Sequence, residues 1–146
     1  MKYVRERTTA INRSCPSAEG HDRLMAVVLS LTYFMNSVFA HILSMEDIPS
    51  LRKVGGTTFT LQLMISESIF MEDTSLIQTL ILDNKFGLSY MSKFAETSKM
   101  IVEWIKGYDE TNIRNFLEEI HNRLRTDPEF VDSYRRMYEA LSSISK

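Results

Sequence analysis

The segment Ser17-Ala18-Glu19-Gly20-His21-Asp22-Arg23, with the run from Leu24 to Leu43 after it, decides how the rest of the chain is read. The run contains no Asp, Glu, Lys or Arg, over a length close to that of a membrane span. It also carries Ser30, Thr32, Tyr33, Asn36, Ser37 and His41, spread around any helix it forms. Its flanks, His21-Asp22-Arg23 and Glu46-Asp47, give no excess of positive charge on one side. A span is therefore not expected. A helix apolar most of the way round is otherwise buried on several sides. A domain this small rarely covers such a helix alone, so a second copy of the chain is the expected cover.

Composition points the same way. The chain has 146 residues, enough for one domain with a real core. Its net charge of −2 supplies no basic field for nucleic acid. Nine Met and eight Phe against five Gly and three Pro favour helices over a turn-rich β fold. The single cysteine, Cys15, has no partner for an internal disulfide, which fits a reducing, cytoplasmic setting and an inert thiol. Met1 to Cys15 lacks the apolar core of a signal peptide.

Helix punctuation divides the remainder. Ser17 is placed to cap a long helix running to about Met45. Asp47-Ile48-Pro49 opens a short helix ending near Lys53, and Gly55-Gly56-Thr57-Thr58 is the sharpest break, a flexible loop. Further helices are expected over Phe59–Met71, after the cap Asp73-Thr74, and from Asn84 to Gly107. Two more should start at Asp109 or Thr111 and at Asp127-Pro128-Glu129. The expected fold is all-α from residue 17 onward.

Chemistry is sparse. No phosphate-binding glycine loop occurs, and Gly55-Gly56 is either a plain turn or a backbone loop facing substrate. Glu118-x-x-His121 is half of a di-metal carboxylate pair with no second half, so both residues are expected on a solvated helix face and no metal site is expected. On the long helix, Asp22, Ala26, Ser30, Tyr33, Ser37 and His41 recur every three or four residues as a small, polar stripe. Leu24, Val27, Val28, Leu31, Met35, Val38 and Ile42 take the other faces. The stripe suits either close helix–helix approach or the wall of a polar cleft.

These residues resemble a known family. Glu19-Gly20-His21-Asp22-Arg23-Leu24-Met25-Ala26, followed by Leu31-Thr32-Tyr33-Phe34, is similar to the start of the helical domain of prephenate dehydrogenases. There an E-E-H-D-x-x-M-A stretch leads into a dimer-interface helix with an L-x-H-F segment. The similarity continues through Gly55-Gly56-Thr57-Thr58-Phe59, Glu72-Asp73 and Leu82-Asp83-Asn84-Lys85.

The resemblance implies a multi-helix fold like the 6-phosphogluconate dehydrogenase C-terminal dimerisation domain over residues 17–146. Residues 1–16 would be the remnant of a Rossmann domain. It implies NAD or NADP for the full-length family, which oxidatively decarboxylates prephenate or arogenate towards tyrosine. It implies no cofactor for this chain alone, because the dinucleotide domain and its catalytic histidine lie in the family's other part. The chain would then be a separately made domain, a split gene product or a degenerate relative. The implied partners are a second copy through Leu24–Leu43, a separate Rossmann domain and a small aromatic metabolite, with no nucleic acid and no membrane.

By position, the resemblance marks His21, Asp22, Tyr33, Gly55, Gly56, Thr57 and Ser68 as substrate-side residues. Tyr33 stands where the family has a histidine, and Ser68 where it has an arginine gripping a substrate carboxylate. A phenol donates one hydrogen bond but cannot become a cation near neutral pH. Serine replaces a bidentate charged pair by one neutral bond. Arg52 and Lys53, before the glycine loop, either lend charge or are exposed helix-end cations. A non-catalytic helical module, pairing with itself or sensing an aromatic metabolite, is the alternative these two departures suggest.

Overall fold

The computed structural model describes residues 17–144, which form seven α-helices and no strand. The all-α expectation holds for them. The suggested Rossmann remnant and Cys15 lie outside the described residues.

Helix α1, Ala18–Leu43, starts where the sequence places its cap. Ser17 is extended, and its hydroxyl accepts the amide of Gly20 at 3.0 Å, satisfying one of the free N–H groups of the first turn. Glu19 and Arg23 pair one turn apart at 2.9 Å. The middle of α1 departs from a regular α-helix. Ala26–Leu31 is a π-helical segment, a wider turn of the kind that often marks functional sites. Side chains reinforce its exit, Thr32 Oγ1 donating to the Val27 carbonyl at 3.2 Å and Asn36 Nδ2 to the Thr32 carbonyl at 2.9 Å.

The later helices are α2 (Ile48–Val54), α3 (Thr57–Ile69), α4 (Thr74–Leu82), α5 (Gly87–Lys106), α6 (Glu110–Leu124) and α7 (Ser133–Ile144). Asp47, Asp73 and Asp109 cap α2, α4 and α6 through the amides of Ser50, Ser75 and Asn112. Two expectations need correction. The break at Gly55-Gly56-Thr57-Thr58 is only two residues long, because Thr57 already belongs to α3. Asp127 does not open α7 directly. It binds the Glu129 amide at 2.9 Å, a 3-10 turn covers Phe130–Asp132, and α7 begins at Ser133.

Helix α5 ends just before Gly107, where the sequence places its end. Gly107 keeps a negative φ, and Tyr108 takes the left-handed turn at φ 51° while 87% exposed. A non-glycine residue there meets the steric penalty that glycine avoids.

The described residues divide into two compact units, one of residues 17–46 and 65–93, the other of residues 47–64 and 94–144. In the first, Ala26, Leu43, Ile69, Ile77 and Met91 form the apolar core, with Ser30, Asn36 and Ser66 buried among them. Ser66 donates to Asn36 Oδ1 at 2.9 Å, so the polar pair is buried with a bond made. Gly87 lies so close to Ser30 that a Cβ on it would be 3.2 Å from the serine's own. In the second unit, Leu63 is the one buried apolar side chain among the described residues. Trp104 meets Phe116 edge-on at 5.7 Å. Leu117, Leu124, Tyr134 and Tyr138 are all more than half exposed.

Candidate functional site

Two features of the first unit stand out, both on α1. The first is an apolar seam. Leu24, Val28, Leu31, Met35, Val38, Ile42 and Met45 recur at alternating steps of four and three residues. From Leu31 onward that is the repeat of a coiled-coil contact line, a signal readable in the sequence beside the polar stripe, while the wider π turn over Ala26–Leu31 breaks the register before it. All but Leu31 are exposed, from Met35 at 38% to Met45 at 67%. Only 17% of the most apolar part of α1 is buried, although the helix is long and apolar enough to cross a membrane. A core helix would be covered; this one presents its seam outward.

The second feature is a cleft of about 360 Å³ beside the first turns of α1. The segment between α4 and α5 builds one side of it. Asn84 Nδ2 donates to the Asp22 carbonyl at 2.8 Å, and Asn84 Oδ1 accepts the Phe86 amide at 2.9 Å, so this side chain ties the loop to the helix. The Arg23 guanidinium lies 4.1 Å from the centre of the Phe86 ring, a second tie. Met25 and Leu29 of α1 and Leu80 of α4 line the cleft with apolar surface. Asp22, Ser30, Thr79, Asp83 and Lys85 supply its polar groups.

The polar stripe meets different surroundings along its length. Ala26 and Ser30 are buried, Ser30 where α1 approaches Gly87 of α5, and Asp22 and Ser30 line a cleft. Further along the helix, the buried polar residue is Asn36, held by Ser66, while Tyr33 and Ser37 are half-buried and His41 is exposed. The Ser37 hydroxyl is buried and without a hydrogen-bond partner.

The remaining sequence-marked residues are scattered. His21 Nδ1 is 3.8 Å from the Asp22 carboxylate, a partly exposed and weak pair. Ser68 is exposed and spends its hydroxyl on the Ile65 carbonyl at 2.8 Å. Gly55, Gly56 and Thr57 belong to the second unit. There Gly55 is required by contact, since a Cβ would sit 2.4 Å from Phe59 Cδ1, whereas Gly56 faces open space. Arg52 and Lys53 are exposed in the last turn of α2. Glu118 and His121 are exposed on α6, with the imidazole against the Phe130 ring at 5.8 Å. Among the described residues, no group of three or more His, Cys, Asp or Glu converges as metal ligands would. Asp83, Lys85 and Thr79 were not marked as site residues, because only the packing of α4 against α1 brings them to the cleft.

One family model matches the chain: the prephenate dehydrogenase dimerization domain, over residues 17–119. No curated protein and no solved structure matches it.

Proposed function

The chain belongs to the prephenate dehydrogenase dimerization-domain family, and on that basis we propose that it is a pairing domain whose α1 seam packs against the α1 seam of a second copy. The observation that carries this reading is the exposed apolar face of α1, from Leu24 to Ile42. Five large apolar side chains of α1, Leu24, Val28, Met35, Val38 and Ile42, left 38–53% exposed, demand a cover. Two-fold pairing covers both copies at once, because each seam is complementary to itself. The apolar length of α1 is thereby explained without a bilayer.

In the resembled enzymes, a helical domain of this kind supplies the substrate-side wall while a dinucleotide domain brings NAD or NADP. Here that wall is depleted. Ser68 offers no cation, and its hydroxyl is already spent on the Ile65 carbonyl. Tyr33 supplies a phenol in place of an imidazole. Alone, the chain is proposed to hold no nicotinamide cofactor and to form no NADH from prephenate. These same departures favour a module that retains pairing and has lost its grip on a dianion.

Single-cysteine variants test the pairing. With Cys15→Ser as background, cysteines placed in turn at Val28, Leu31, Met35 and Val38 should give at least one rapidly oxidised covalent dimer. A cysteine at exposed Glu119 serves as the control. Cross-linking no faster along the seam than at Glu119 would overturn the proposal.

A further inference from the structure

We propose, resting on the pairing reading above, that His41 makes the contact between α1 helices acid-sensitive: the dimer forms with neutral imidazoles and dissociates when they gain protons. From Leu24 to Met45 the chain carries no Asp, Glu, Lys or Arg, so Tyr33 and His41 are its only titratable side chains over that length. Tyrosine ionises far above neutrality, whereas histidine changes charge between pH 8 and 5. The apolar face of α1 thus has one group able to become a cation in that range.

Its position places that charge at the contact. His41 stands three residues after Val38 and one before Ile42, two exposed members of the seam. In a coiled-coil contact this place flanks the seam, where side chains reach the partner helix. The imidazole is exposed and makes no hydrogen bond, ion pair or ring contact among the described residues. Phe70, just after α3, shares a cavity with Ser37, Ala40, His41 and Ser44. The charged residues beside these in the chain are Glu46, Glu67 and Glu72, and none of them pairs with His41.

In the free chain an imidazolium at this place has water around it. In the pair, the partner brings the same uncharged face, and covering an unpaired charge is costly. Two-fold pairing counts the cost twice, once per copy. The dimer therefore binds fewer protons than two free chains, and by linkage acid favours dissociation. The helix caps Asp73 and Asp109 are held below 3.8 and keep their charge well into acid.

Sedimentation equilibrium of the whole chain at pH 7.5 and 5.5, with far-UV circular dichroism at both, tests the switch. Two histidines of ordinary pKa, about 6.5, that must both be neutral would raise the dissociation constant about a hundredfold between these values, and a rise of at least about tenfold is expected. His41→Gln, neutral throughout, should remove most of that rise. His21→Gln, which deletes the histidine at the start of α1, should leave it intact. A dimer equally tight at both pH values, or tighter in acid, would overturn the switch and leave pairing standing. So would a rise that His41→Gln retains, or loss of helical signal at pH 5.5 in place of dissociation. A monomer at both pH values would overturn the pairing itself and the switch with it.

Discussion

Gly87→Ala turns the close approach of α5 to α1 into a measurable number. On an open helix, alanine is favoured over glycine by about 0.5–1 kcal/mol, because it has less backbone freedom to lose on folding. Here the new methyl would meet Ser30 Cβ at 3.2 Å, Ser30 Oγ at 3.4 Å and Met91 Cε at 3.5 Å. The methionine tip can swing aside, whereas the serine Cβ is fixed to the buried π-helical turn. Overpacking of this kind costs about 1–3 kcal/mol, so the clash outweighs the propensity gain and the net loss should be about 1 kcal/mol. For a chain of this length that corresponds to a fall in melting temperature of about 3–4 °C. Urea unfolding of the two proteins, with unchanged m-values, provides the free energy. A variant as stable as the parent, or more stable, would show that α1 and α5 do not approach as described.

Met35→Asp places a carboxylate at the middle of the seam. Lost burial of about 1 kcal/mol and desolvation of about 2 kcal/mol per copy, counted twice by symmetry, should weaken pairing by roughly four orders of magnitude, as seen in a dilution series by light scattering. Tyr108→Gly relieves the left-handed residue after α5 with little packing lost, and should raise unfolding stability by about 1 kcal/mol in urea titration. The caps Asp73 and Asp109 are held below the usual aspartate range, Asp73 mainly by the Ser75 hydroxyl and Asp109 mainly by the Asn112 amide. Their depressed folded values mean that their stabilisation is complete above the ordinary aspartate pKa and is lost as pH falls through the folded one. Carboxyl NMR titration should place both midpoints below 3.8, and Asp73→Asn should remove part of the acid sensitivity of unfolding.

The helices were legible because their ends are written in local chemistry. Ser17, Asp47, Asp73 and Asp109 each cap through a side-chain oxygen, and that interaction needs no tertiary contact. The π segment was not legible, since nothing in Ala26–Leu31 departs from an ordinary apolar helix pattern. Gly107 marks the end of α5 as expected, while the left-handed turn, which the sequence does not announce, falls on Tyr108. At the cleft, Asp22 was found through its motif, while Asp83 and Lys85 depend on how α4 returns to α1. The seam was visible as apolar faces, and its exposure settled which of those faces lacks a cover.

Sedimentation equilibrium of the whole chain in detergent-free buffer, across nanomolar to micromolar concentration, decides whether α1 pairs with a second copy of itself. The expected result is a folded dimer that dissociates only on dilution and is lost in Met35→Asp. A helical, cooperatively folding monomer at micromolar concentration, with the α1 seam open to water, would contradict pairing.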